Sequence, residues 1–93
     1  GGDDVPLSTA EGRDTCFIAV HVFRGTPFEQ YFRGVEAIMD DYAGRPHWGK
    51  LHFQTAATLV SRYPQWNRFQ EARDRLDPTR RFTNEYLTAV LGP

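Results

Sequence analysis

Lys50 is the only lysine in a chain whose other cationic side chains are all arginine, and it closes the run Arg45-Pro46-His47-Trp48-Gly49-Lys50. A primary ammonium shifts its pKa readily when desolvated and acts as a point charge or proton partner, whereas guanidinium stays charged and makes forked hydrogen bonds. The neighbours suit a site. Pro46 fixes the local backbone and biases Arg45 toward an extended shape, Gly49 permits close approach, and Trp48 supplies a flat wall. The same run also reads as ordinary loop chemistry after a helix, with a solvated lysine, although loops held by a scaffold carry sites disproportionately. His21, His47 and His52 are the other candidates for chemistry. With nearby carboxylates they invite a metal reading, but His47 and His52 stand five apart across a Trp-Gly loop and match no usual zinc-ligand spacing, so no metal site is expected.

The elements that must position these residues follow from pattern. Residues 1–14 are polar and broken by Gly1-Gly2, Pro6 and Gly12, which predicts a loop or arm; the opening glycines read equally well as an added tail. Thr15 to Phe23 is rich in β-branched and aromatic residues and reads as the one strand, with Cys16, Ile18, Val20 and Val22 on an aliphatic packing face and Phe17, Ala19, His21 and Phe23 on the other. Thr26-Pro27-Phe28-Glu29 resembles a helix start with Thr26 as N-cap and Glu29 completing a capping box. The stripe Phe28, Tyr31, Phe32, Val35, Ile38, Met39 and Tyr42 then reads as a core-facing helix ending at Gly44, with Glu36, Asp40 and Asp41 on a solvated face.

Leu51-His52-Phe53 reads as a short extended piece, and Thr55 to Arg62 as a short helix. A further helix starts at Pro64 or Gln65, turns Trp66, Phe69, Ala72, Arg73 and Leu76 inward and stops at Asp77-Pro78. Thr83 is placed to cap a last helix over 84–91, where Asn84 has an N-cap-like role. The expected class is α+β, with one strand and about four helices.

At 93 residues there is room for one small domain. A formal net charge of −1 gives no bulk attraction to nucleic acid or anionic membrane, and the arginines at 68, 73, 75, 80 and 81 interleave with acids as a salt-laced helix surface. Cys16 has no internal disulfide partner; a buried, inert thiol in a reducing compartment such as the cytoplasm is the expectation. No stretch has the length and apolarity of a membrane span. A single strand leaves its backbone groups needing neighbours, so the chain reads as part of a larger protein, able to self-associate through the strand edge. A small interaction module docking through exposed aromatics is the competing reading, and it gives the singular lysine no purpose.

His47-Trp48-Gly49-Lys50 after Arg-Pro, with Tyr63-Pro64, Leu76-Asp77-Pro78 and Phe82-Thr83-Asn84 downstream, resembles the C-terminal end of the FAD-linked sugar-lactone oxidases. These are the D-arabinono-1,4-lactone and L-gulono-1,4-lactone oxidases or dehydrogenases and the alditol oxidases, flavoproteins of the vanillyl-alcohol-oxidase type. The resemblance runs over nearly the whole chain. It implies that residues 15–93 supply a late cap-domain strand and helix and then C-terminal helices. An N-terminal FAD-binding domain and most of the cap sheet would lie before residue 1, so the segment by itself would be inactive and hold FAD poorly. It also implies Lys50 for substrate positioning and charge stabilisation, His21 for orienting or accepting the hydroxyl proton, and His47 with Trp48 beside flavin or substrate. The substrate would be a sugar lactone or polyol, and membrane association of the parent is compatible with the family.

Overall fold

The computed structural model describes all 93 residues. Its apolar centre is Leu59, Tyr63, Trp66 and Val90, each at most 7% exposed. Leu59, Tyr63 and Trp66 are spaced by four and three residues, which keeps them on one side of a winding chain. Leu59 ends helix α2 (Ala56–Leu59), Tyr63 follows the 3-10 turn Val60–Arg62 that continues it, and Trp66 opens helix α3 (Trp66–Leu76). Val90 comes from helix α4 (Glu85–Leu91), which packs against α2. Leu7, Trp48, Ala56 and Leu91 extend the cluster at its edge. Burying each large side chain contributes about 1.5–3 kcal/mol, so this small cluster carries much of the fold.

Local chemistry sets the element ends. Thr55 and Thr58 form a reciprocal capping box at the start of α2. The last helix starts one residue later than the pattern suggests, and its cap is Asn84, whose Oδ1 accepts from the Leu87 N–H at 2.8 Å. Beyond α3, the Asp77 carboxylate accepts from the N–H groups of Phe82 and Arg81, and the Phe82 bond is the main reason its pKa lies below the usual carboxylate value. Arg73 donates to Gly92 O at 3.0 Å and so ties α3 to the end of α4. Leu76, expected inward, is 75% exposed.

The α+β expectation fails. No strand forms at Thr15–Phe23 or anywhere else, and the only β-type pairing is an isolated bridge between Asp3 and Glu11. The molecule is helix and coil. A strand exists only when its N–H and C=O groups meet another strand, and nothing in this chain lies alongside residues 15–23 to meet them. The intended packing face is consequently open, with Ile18 65% exposed and Cys16 exposed rather than buried. Residues 51–53 are likewise coil.

Helix α1 (Glu29–Asp40) also departs from expectation at both ends. Its N-cap position is Phe28, without a side-chain cap, while Thr26 N bonds Phe23 O in a turn around Gly25. At the other end Ala43, not Gly44, takes the left-handed conformation (φ 50°). Gly44 is demanded by space instead: a Cβ there would lie 2.8 Å from Met39 Cβ. None of the α1 stripe is fully buried: Phe32, Val35 and Met39 are half-buried and Tyr31 and Ile38 are exposed, so the face read as core is largely uncovered. No helix is long and apolar enough to cross a membrane.

Candidate active site

The run Arg45–Lys50 is a turn held from three directions. Within it, Lys50 N donates to His47 O at 3.0 Å, and Gly49 N donates to His47 Nδ1 at 3.0 Å. The second bond makes His47 Nδ1 an acceptor, which leaves the proton of the neutral ring on Nε2. Arg45 anchors the front of the turn. Its guanidinium donates to Glu11 O (2.7 Å), Thr9 O (3.2 Å) and Arg62 O (2.7 Å), and lies 4.8 Å from the centre of the Tyr63 ring. Burial, with Arg13 adding repulsion, lowers its pKa from the ordinary arginine value. The same burial pushes the Tyr63 phenol up to about 12.

Trp48 is fixed at both ends. Its indole stacks on Tyr63 with ring centres 5.4 Å apart, and Nε1 donates to Leu7 O at 2.9 Å. Its carbonyl accepts from Tyr86 Oη at 2.5 Å. The arm is thereby stitched to the turn, and the buried Glu11 secures it further by accepting from Leu7 N and Gln65 N.

An open groove of about 1090 Å³ runs along this turn. Its walls include residues 17–21, Phe32, Val35 and Glu36 of α1, the whole turn from Arg45 to Leu51, and Tyr86 of α4. His21, distant in sequence, thus lines one groove with His47, Trp48 and Lys50. His21 and Lys50 are exposed there, and His47 is exposed on the turn. Its lining combines the apolar side chains of residues 17–20 with the Lys50 ammonium and the imidazoles of His21 and His47. That donor set suits the edge of a flat, electron-accepting ring together with a hydroxylated substrate.

Two groove residues, Glu36 and Tyr86, and Asp40 one turn further along α1 have roles that the sequence reading missed. Glu36, assigned to a solvated face, accepts from Phe53 N at 2.9 Å and from Gln54 Nε2 at 2.5 Å. Asp40, assigned likewise, accepts from Gln54 Nε2 and from Arg62. Tyr86 bonds His52 Nε2 at 3.0 Å as well as Trp48 O. No periodicity pairs residue 48 with 86 or 36 with 54; only the tertiary path does. No group of three or more His, Cys, Asp or Glu side chains comes together to hold a metal ion.

The family model described as D-arabinono-1,4-lactone oxidase matches residues 1–90. The chain belongs to that family of oxidoreductases. Among individual relatives, it is 70% identical to the L-gulono-1,4-lactone dehydrogenase of Mycobacterium tuberculosis over 98% of this chain and 21% of that protein. It is 38% identical to the L-gulonolactone oxidase of Mus musculus over 96% of the chain and 21% of the relative, and 36% identical to the alditol oxidase of a Streptomyces species over 96% and 22%. The chain spans about a fifth of the length of these relatives. No solved structure matches it significantly.

Proposed function

We propose that this chain is the C-terminal part of an FAD-dependent oxidoreductase that oxidises a CH–OH group of a sugar lactone or polyol, with residues 15–93 contributing cap-domain and C-terminal segments around the groove. When bound, the flavin would supply the acceptor for the hydride, at its N5. Its main binding would fall to the parent's FAD-binding domain, while His47 and Trp48 would meet it from this side. The observation that carries the reading is the convergence of His21, His47, Trp48 and Lys50 on one groove.

In this reading the residues of the chain divide the work. Lys50 holds the substrate's oxygens and offsets negative charge that develops across the groove, as a fixed cation does best in a partly desolvated site. His21 accepts or orients the proton of the hydroxyl being oxidised. The apolar side chains at residues 17–20 shape one part of the groove. Trp48, clamped on Tyr63 and Leu7, keeps the turn from drifting.

The test is anaerobic mixing of the purified full-length protein with a sugar lactone such as L-gulono-1,4-lactone, and separately with a polyol such as xylitol. Bleaching of the oxidised-flavin absorbance by either class is expected. A protein that carries flavin but bleaches with neither, or that carries none, would overturn the proposal.

A further inference from the structure

We propose that Tyr86 and His52 are positioning residues that set the Lys50 turn in its working conformation, by holding the Trp48 carbonyl from the first turn of α4. The inference rests on the reading of the groove as the reaction site. Three hydrogen bonds in series set its direction. Gln54 N donates to His52 Nδ1 at 3.1 Å, so the neutral ring carries its proton on Nε2. That Nε2–H faces Tyr86 Oη at 3.0 Å, and Tyr86 Oη in turn donates to Trp48 O at 2.5 Å. The chain of donors ends on the peptide that leads into Gly49 and Lys50.

Each group in the chain is in the protonation state this requires. Burial lowers the His52 pKa from its ordinary value, with Glu36 of α1 pulling the other way, so the ring stays neutral at pH 7. Burial raises the Tyr86 phenol, so it remains a donor. The charged and titratable groups bearing on His52 are Glu36 from α1 and Tyr86 from α4, and neither forces a proton onto Nδ1. The ring edges of His52 and Tyr86 also meet with centres 5.8 Å apart, which limits the freedom of both side chains.

The geometry has a functional consequence. Trp48 is gripped at its indole by the arm and at its carbonyl by α4. With the first grip alone the ring stays put while the 48–49 peptide can rotate, and Lys50 then leaves the groove. A misplaced group costs rate even when the fold is intact.

The experiment uses the full-length protein and two readouts. Tyr86→Phe removes only the hydroxyl and keeps the ring. It is expected to speed deuterium exchange of the Gly49 and Lys50 amides about fivefold, the size of one lost hydrogen bond, while α1 amides and the melting temperature stay unchanged. Turnover is expected to fall about fivefold in kcat/KM, because the substrate contact and the charge offset of Lys50 are weakened together. In a Lys50→Ala background the same Tyr86→Phe change should have almost no further effect, because the two residues act as one unit. His52→Gln, which keeps an N–H at the Nε2 position, should behave more like wild type than His52→Leu. Unchanged amide exchange in Tyr86→Phe, or losses that simply multiply in the double variant, would overturn the positioning role. A protein inactive on lactones and polyols but showing the exchange effect would count against the proposed reaction and leave the latch standing.

Discussion

His52 shows how much a residue's surroundings decide. It sits two residues beyond Lys50, yet it faces α4 and α1 rather than the ammonium. Desolvation outweighs the attraction of Glu36, so its folded-state pKa falls below 6.5. For a base whose folded value is depressed, the unfolded chain takes up the proton first as pH falls. Stability contributed by the neutral ring is therefore complete above about 6.5 and declines as pH drops from there through the folded-state value. Following the ring proton by NMR, the His52 midpoint should lie below 6.5 and move lower still in Glu36→Gln, which keeps the oxygen acceptor and removes the charge. A midpoint at or above 6.5 would mean that the ring is not desolvated as described.

Among the elements, the turn at 45–50 depends on Arg45 more than on any apolar contact. One guanidinium satisfies carbonyls from the arm and from the 3-10 turn, a task that needs a planar fork. Arg45→Lys should cost about 2 kcal/mol of unfolding free energy in urea titrations, as expected for lost hydrogen bonds to a charged donor. An unchanged midpoint would show that water replaces the fork at no cost. Here the sequence was partly legible. Pro46 and Gly49 announced a turn, and Trp66, read as inward, is buried. Arg45 was read only as backbone shaped by its proline, because its three partners lie 17 to 36 residues away. Thr15 to Phe23 has strand composition without a strand, since composition describes a side-chain surface and a ladder needs a neighbour. The capping signature at Thr26 failed for a local reason: the backbone at 23–26 turns instead, and Phe28 takes the cap position.

At the scale of the whole molecule, the apolar surface is out of balance with the core. The radius of gyration is 14.6 Å, against about 12 Å for a compact domain of this length, and the extents are 42 × 31 × 19 Å. Residues 15–23 and the α1 stripe lie open while four side chains form the buried apolar cluster. Surface of that kind marks a place where other protein packs. A chain that spans a fifth of its relatives has such protein to expect, and the groove between that surface and the Lys50 turn is where the proposed chemistry belongs. In the proposed reaction Lys50 meets substrate there. The most direct measurement of that contact is the rate of anaerobic flavin reduction by a sugar lactone in full-length wild type and Lys50→Ala, alongside their melting temperatures. The predicted result is a fall of about 100-fold or more at an unchanged melting temperature, the size expected for removing a preorganised charge from a reacting centre. Equal reduction rates in the two proteins would contradict it.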